Sequence, residues 1–164
     1  MKICVFPGSF DPITRGHVDL VKRALPLFDK IVIATGINTS KQSLIPLDKR
    51  LQWIDRCFQG ESKVSTNSYQ GLTVDFCQSI EAGFLLRGLR NASDFDYEKT
   101  ISQMNHIIGK GIETVFLISQ PEFSHISSTI VREIIKGGAD VSPFVPEEIQ
   151  AEIYDFFRNQ GSNK

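Results

Sequence analysis

No stretch of about 20 consecutive apolar residues occurs anywhere in the 164-residue chain, so it contains no candidate for a hydrophobic membrane-spanning helix. Cysteine is sparse. Cys4, Cys57 and Cys77 are odd in number and far apart, with no Cys-x-x-Cys pair, a pattern that offers neither a disulfide framework nor a metal clip. None has a histidine close by in sequence to activate it, so all three read as reduced thiols, buried as small hydrophobes in a cytoplasmic protein. His17, His106 and His125 lack zinc-ligand spacing, and the last two read as structural or surface residues. An excess of one charge is missing as well: 18 Lys and Arg against 19 Asp and Glu leave a net charge of −1. That removes the basic surplus expected of a duplex nucleic-acid binder, though not a local anion site. Met1 to Gly8 is too short, and too soon broken by Pro7-Gly8, to read as a signal peptide. With no repeat, linker or low-complexity stretch, one domain is expected over 1–160, with a flexible tail at 161–164.

What is present is ordinary globular material, 41% hydrophobic and 23% charged. A chain of this length buries roughly 70% of its unfolded surface and needs no cross-link to fold. Apolar runs of strand length alternate with segments of helical period. Strands are expected at Ile3–Phe6, Ile31–Ala34, Lys63–Thr66, Phe84–Leu86 and Thr114–Ile118. Helices are expected from His17 to Leu25, Leu47 to Phe58, Leu72 to Glu81, Phe95 to Ile108, Thr129 to Lys136 and Pro146 to Phe157. The alternation predicts an α/β chain, a single-domain, doubly wound, five-stranded parallel sheet of Rossmann-like form. Ligands of such sheets sit beyond the carboxyl ends of the strands, where strand order reverses.

Those ends carry the chemistry. After the first strand, Pro7 to His17 combines Gly8, Gly16, the Ser9 hydroxyl and an imidazole at a helix entry whose amides favour anions. Lys41 lies in the polar loop after the second strand. Arg87-Gly88-Leu89-Arg90 follows the fourth; guanidinium forks there suit phosphate, or else pair with Asp94, Asp96 or Glu98. After the fifth, Ser127-Ser128-Thr129 sets three hydroxyls and the free N-terminal amides of a helix together, as a phosphate cradle or as simple capping. A dispersed cationic set in a neutral chain points to a ligand with several phosphates. The Asp-Phe-Asp-Tyr-Glu cluster at 94–98 lacks the alternation of a metal loop, so no protein-built metal site is assigned.

Pro7 to His17, with its Thr14-x-Gly16-His17 element, resembles the nucleotidyltransferases of the adenylyl and cytidylyl class. Ile126-Ser127-Ser128-Thr129-x-Val131-Arg132 is similar to the second signature of that superfamily. Leu86 to Arg90, followed by Asp94 to Glu98, resembles one family within it, the phosphopantetheine adenylyltransferases. The resemblance implies reversible AMP transfer from ATP to 4'-phosphopantetheine, giving dephospho-coenzyme A and pyrophosphate, the penultimate step of coenzyme A synthesis. It implies direct in-line attack, Mg²⁺ as cofactor and a cytoplasmic homohexamer, with coenzyme A as a product-like inhibitor and no nucleic-acid or membrane partner. By match of position, Ser9, Lys41, Thr73 and Arg87 would bind phosphopantetheine. Ser9, Phe10, His17, Gly88, Leu89, Arg90, Glu98, Phe123, Ser124, His125, Ile126, Ser127, Ser128 and Thr129 would bind ATP. His17 would stabilise the transition state, with Lys41 and Arg90 as further catalytic groups. Ser9 stands where the family often has Thr, Phe123 where Tyr or Trp is common, and His125 where Phe is common. Two other readings remain at this stage: a nucleotidyltransferase acting on nicotinamide mononucleotide or a phosphorylated alcohol, and a nucleotide-sensing module that keeps the cradle without the chemistry.

Overall fold

The computed structural model describes residues 1–37 and 42–161, with side chains as far as Arg158. Its strands are β1 (Ile3–Gly8), β2 (Lys30–Ile37), β3 (Val64–Gln70), β4 (Phe84–Leu89) and β5 (Glu113–Ile118). The helices are α1 (Arg15–Ala24), α2 (Leu47–Cys57), α3 (Thr73–Ser79), α4 (Ala92–Ile108), α5 (Ser128–Lys136) and α6 (Gln150–Gly161), with 3₁₀ turns at Pro121–Phe123 and Glu147–Ile149. All five strands are parallel, in the order β3-β2-β1-β4-β5, which is the predicted doubly wound sheet. Strand order reverses between β1 and β4, so the crevice opens there.

Side chains alternate across the sheet with period two. Cys4 and Phe6 of β1, Ile31 and Ile33 of β2 and Leu86 of β4 join a core with α1, α2, α5 and α6. Val5, Val32, Ala34 and Leu85 face the other way, against Val74, Cys77 and Ala82. The three thiols are buried, and burial raises all of them, Cys77 to about 11, Cys57 to about 12 and Cys4 further still. Their burial is as expected. None of the helices among the described residues is long and apolar enough to cross a membrane.

Several boundaries differ from the sequence reading, for identifiable reasons. β1 runs on through Pro7 to Gly8, β3 to Gln70, and β4 through Arg87 to Leu89. Neighbouring strands sustain these extensions: β1 stays paired to β2 as far as Gly8↔Thr35, while its ladder to β4 covers only Cys4↔Phe84 and Val5↔Leu85. The N–H and C=O of a strand residue point to the same side. The N–H that Pro7 lacks therefore falls where the β4 ladder has already ended. α1 begins two residues before His17, and the last helix opens as a 3₁₀ turn after Pro146 before α6 takes over and includes Gly161. Residues 162–164 of the expected tail lie outside the described residues.

Ile33 is fully buried in β2, an interior strand of the sheet. Ile33→Ala should cost about 2–5 kcal/mol, read as a lowered urea midpoint with unchanged slope.

Candidate active site

Thr14 caps α1 and fixes His17 in the same stroke. Its side chain accepts the His17 N–H (3.4 Å), and its backbone N–H donates to His17 Nδ1 (3.1 Å). This is a capping box with an imidazole in the place usually held by Glu or Gln. Because Nδ1 accepts, the ring proton of the neutral imidazole resides on Nε2. Burial, together with the nearby positive charges of Arg87 and Arg90, pushes the pKa of His17 from 6.5 down to about 4. At neutral pH it is therefore an uncharged donor.

The ring is held edge-on by Phe10 and Phe6, with centroids 5.2 and 6.0 Å away. Phe10 adopts φ +45°, a left-handed conformation rare for a bulky residue, and its side chain is buried. Strain of this kind costs about 1–3 kcal/mol and is sustained by packing. Gly8 makes that packing possible, because a Cβ there would sit 2.8 Å from the Phe10 ring.

Arg87 lies inside β4, not beyond it. Its Nη1 donates to the Pro7 carbonyl (2.8 Å), its Nε donates to Glu98 (2.8 Å), and Nη2 completes a two-pronged pair with the same carboxylate. Arg90 pairs through Nε with Asp94 (2.9 Å), whose carboxyl its hydrogen bond holds below the usual range. The ion-pair alternative for these arginines is thus realised without excluding the other. The Arg90 pair is partly exposed and worth about 0–1 kcal/mol.

At the start of α5 the hydroxyls are already occupied. Ser127 caps the Ile130 N–H, Ser128 donates to the Pro12 carbonyl, and Thr129 accepts from Arg132. Of the expected hydroxyls and helix-start amides, the amides are what is left to receive an anion.

These residues enclose two clefts on opposite sides of the sheet. One, of about 270 Å³, is lined by Phe10, Thr14, His17, Gly88, Arg90, Phe123, Ile126, Ser127 and Ser128, among others. The other, of about 220 Å³, is lined by Tyr69, Thr73, Tyr97, Ser102 and Asn105. Pro7, Gly8, Arg87 and Glu98 belong to both walls. The structure thus brings together most of the residues named from sequence. Ser9, Leu89, Ser124, His125 and Thr129 do not line either cleft. Leu89 contributes its carbonyl to the Ser119 N–H, and His125 is exposed beside Phe144. Lys41 lies outside the described residues.

Tyr69, Ser102 and Asn105 escaped the sequence reading. Tyr69, whose hydroxyl is 2.7 Å from Thr73 Oγ1, is the last residue but one of a strand that was expected to stop at Thr66. Glu98, Ser102 and Asn105 share one face of α4 at helical spacing, the signal that could have found them. Among the described residues no group of three or more His, Cys, Asp or Glu could hold a metal ion.

A fold with its site at the β1/β4 reversal and a Thr-x-Gly-His helix entry defines a nucleotidyltransferase, and the cytidylyltransferase-like family model matches residues 5–134. A solved structure from Vibrio parahaemolyticus, provisionally assigned as a nicotinate-nucleotide adenylyltransferase, shares this fold at a TM-score of 0.71 and 20% identity, covering 94% of this chain and 99% of that one. The phosphopantetheine adenylyltransferase of Christiangramia forsetii is 49% identical over 150 residues, 92% of this chain and 99% of its own. That of Flavobacterium psychrophilum is 47% identical over 152 residues, 93% of this chain and all of its own. The chain belongs to the phosphopantetheine adenylyltransferases, and is an enzyme of the nucleotidyltransferase class.

Two predictions follow from the geometry around His17. Its folded pKa is depressed, so between about pH 4 and 6.5 the unfolded chain binds more protons, and stability falls as pH drops through that window. Urea titrations at pH 7 and 4.5 should show a larger loss for the wild type than for His17→Gln; equal losses would contradict the depressed value. Gly8→Ala should displace the Phe10 ring and slow turnover by at least about tenfold, since misplacing a donor by a small distance is costly; steady-state kinetics would show it.

Proposed function

We propose that the enzyme transfers AMP from ATP to 4'-phosphopantetheine, releasing dephospho-coenzyme A and pyrophosphate, by direct in-line attack. The observation that carries this reading is the pair of clefts meeting at Pro7, Gly8, Arg87 and Glu98. Two substrates seated in them face each other across the end of β1. The acceptor phosphate is already anionic, so an oxygen of it attacks the α-phosphorus without a general base. One P–O bond forms as the bond to the bridging oxygen of the β-phosphate breaks, and pyrophosphate leaves with that electron pair.

In this reading the protein aligns the reactants and stabilises charge growing on the α-phosphoryl oxygens. His17 donates from Nε2 to such an oxygen. Arg90 and the first amides of α5 hold the leaving pyrophosphate, and Gly88, Phe123 and Ile126 border the nucleotide. Arg87 and Thr73 address the acceptor, with Lys41. Asp94 and Glu98 are each engaged by an arginine, so the donor set fits a Mg²⁺ carried on the nucleotide's phosphates better than one held by side chains. Such an ion would offset the charge of the triphosphate.

Self-association into a hexamer is part of the proposal. Tyr97, Met104 and Ile107 on α4 are 66%, 53% and 78% exposed, an apolar row that a second copy would cover. The balanced charge and the lack of a long apolar helix among the described residues fit a cytoplasmic site of action and no nucleic-acid partner. Coenzyme A, sharing the pantetheine arm and adenylate of the product, is expected to compete.

Pyrophosphate release assayed with a panel of phosphorylated acceptors should show turnover with 4'-phosphopantetheine. Turnover with nicotinamide mononucleotide alone would overturn the assignment. His17→Ala should bind ATP within a few-fold of wild type by calorimetry yet turn over at least about a hundredfold more slowly. Loss of ATP binding with kcat intact would make His17 a ground-state contact. Arg87→Ala should chiefly raise the KM for phosphopantetheine and Arg90→Ala chiefly impair the use of ATP, each lost charge-assisted contact being worth about 1.5–3 kcal/mol. Wild-type kinetics with lowered thermal stability would leave both arginines with structural roles only.

A further inference from the structure

Asp11 sits where three segments converge, yet it lines neither cleft. It is only 4% exposed. Its two carboxylate oxygens accept consecutive backbone N–H groups, Leu44 to Oδ2 (2.9 Å) and Ile45 to Oδ1 (2.8 Å), in the segment leading into α2. On the opposite side Arg132 of α5 donates to the Asp11 carbonyl (2.9 Å) and lies 4.0 Å from its carboxylate. Arg50, buried in α2, donates to the Ser9 carbonyl (2.7 Å) and feels the charge of Asp11. The loop between β1 and α1 is thereby tied to α2 on one flank and to α5 on the other.

A carboxylate is an expensive way to hold a loop. Burying it carries a desolvation cost that an apolar side chain avoids, even when the charge is well partnered. What it supplies in exchange is direction, since two N–H bonds from consecutive residues hold the carboxylate in one orientation while Arg132 holds the carbonyl of the same residue. Phe10, the residue immediately before it, holds the left-handed conformation that places its ring against His17. Ser128, next to the amides that open α5, is bonded to Pro12, the residue immediately after it.

We propose that Asp11 is a positioning residue for adenylyl transfer: its carboxylate, bonded to the Leu44 and Ile45 amides, and its carbonyl, bonded to Arg132 of α5, together set the spacing between the His17 imidazole and the amide cradle of α5. It acts through those groups and touches neither substrate. The proposal rests on the reading of His17 as the donor to the α-phosphoryl group, and its test separates the two.

Asp11→Asn keeps the shape and one acceptor but turns an NH₂ group toward a backbone N–H. The expected result is a kcat lowered at least about tenfold at saturating substrates, with the Kd for ATP, measured by calorimetry, within about threefold of wild type. In a His17→Ala background the same substitution should cost less than about threefold more, because the spacing has no further consequence once the imidazole is gone. A full tenfold loss in both backgrounds, or an unchanged kcat in the single variant, would overturn the proposal. If His17→Ala alone left kcat unchanged, the role of His17 would fail and the proposal with it. Should Asp11→Asn not fold, Arg132→Lys weakens the other tie on Asp11, from α5 to its carbonyl. It should lower kcat several-fold in the wild-type background and have little further effect beside His17→Ala; wild-type turnover there would overturn the proposal equally.

Discussion

The splay between β1 and β4 is the constraint on which the site depends. The two central strands are laddered only at their first residues, and beyond Val5 and Leu85 they part. A parallel sheet that opens in its middle exposes backbone groups, and an unpaired buried carbonyl is costly. Arg87 resolves this by donating to the Pro7 carbonyl while its other nitrogens meet Glu98. One guanidinium thus bridges β1, β4 and α4, and the same group forms the shared wall of the two clefts. The gap that reactants would occupy and the charge that would receive their phosphates arise from a single departure from regular pairing.

A second dependence runs through His17. A histidine between two arginines in a partly buried site is pushed toward neutrality, and the Thr14 N–H then decides which nitrogen carries the proton. An imidazolium there would add a third positive charge beside Arg87 and Arg90 and would need no tautomer control. The neutral ring instead offers one directed N–H, a donor whose worth grows with charge on its acceptor. Its aim depends on Phe10, whose strained backbone is tolerated because Gly8 leaves room for the ring. Strain, close packing and electrostatics therefore converge on one hydrogen-bond vector.

Much of this was legible before any coordinates. Four apolar runs mark strands, Ile3–Phe6 as one buried on both faces, and the alternation with helices admits few topologies. Placing ligands at strand ends then collects His17, Arg87, Arg90 and Ser127 from distant parts of the chain. What escaped reading has a common origin in tertiary pairing. Pro7 and Gly88 look like stops, but partner strands carry β1 and β4 past them. Tyr69 was missed because the polar stretch Ser65–Ser68 hides the length of β3, which is set by its ladder to β2. The hydroxyls at 127–129 signal an anion site, yet their own partners, Ile130, Pro12 and Arg132, are visible only once the β1–α1 loop and α5 are side by side. Asp11 carries no signal of its own in sequence. Its partners at 44–45 and 132 are more than 30 positions away.

The central claim is that two substrates react face to face across the end of β1, with no covalent stop on the protein. The stereochemical course at phosphorus tests it directly. With ATP made chiral at the α-phosphorus by sulfur substitution, a single in-line displacement inverts the configuration in the dephospho-coenzyme A analogue formed. Inversion is the predicted result; retention would require two displacements, and with them an adenylylated enzyme that contradicts the account.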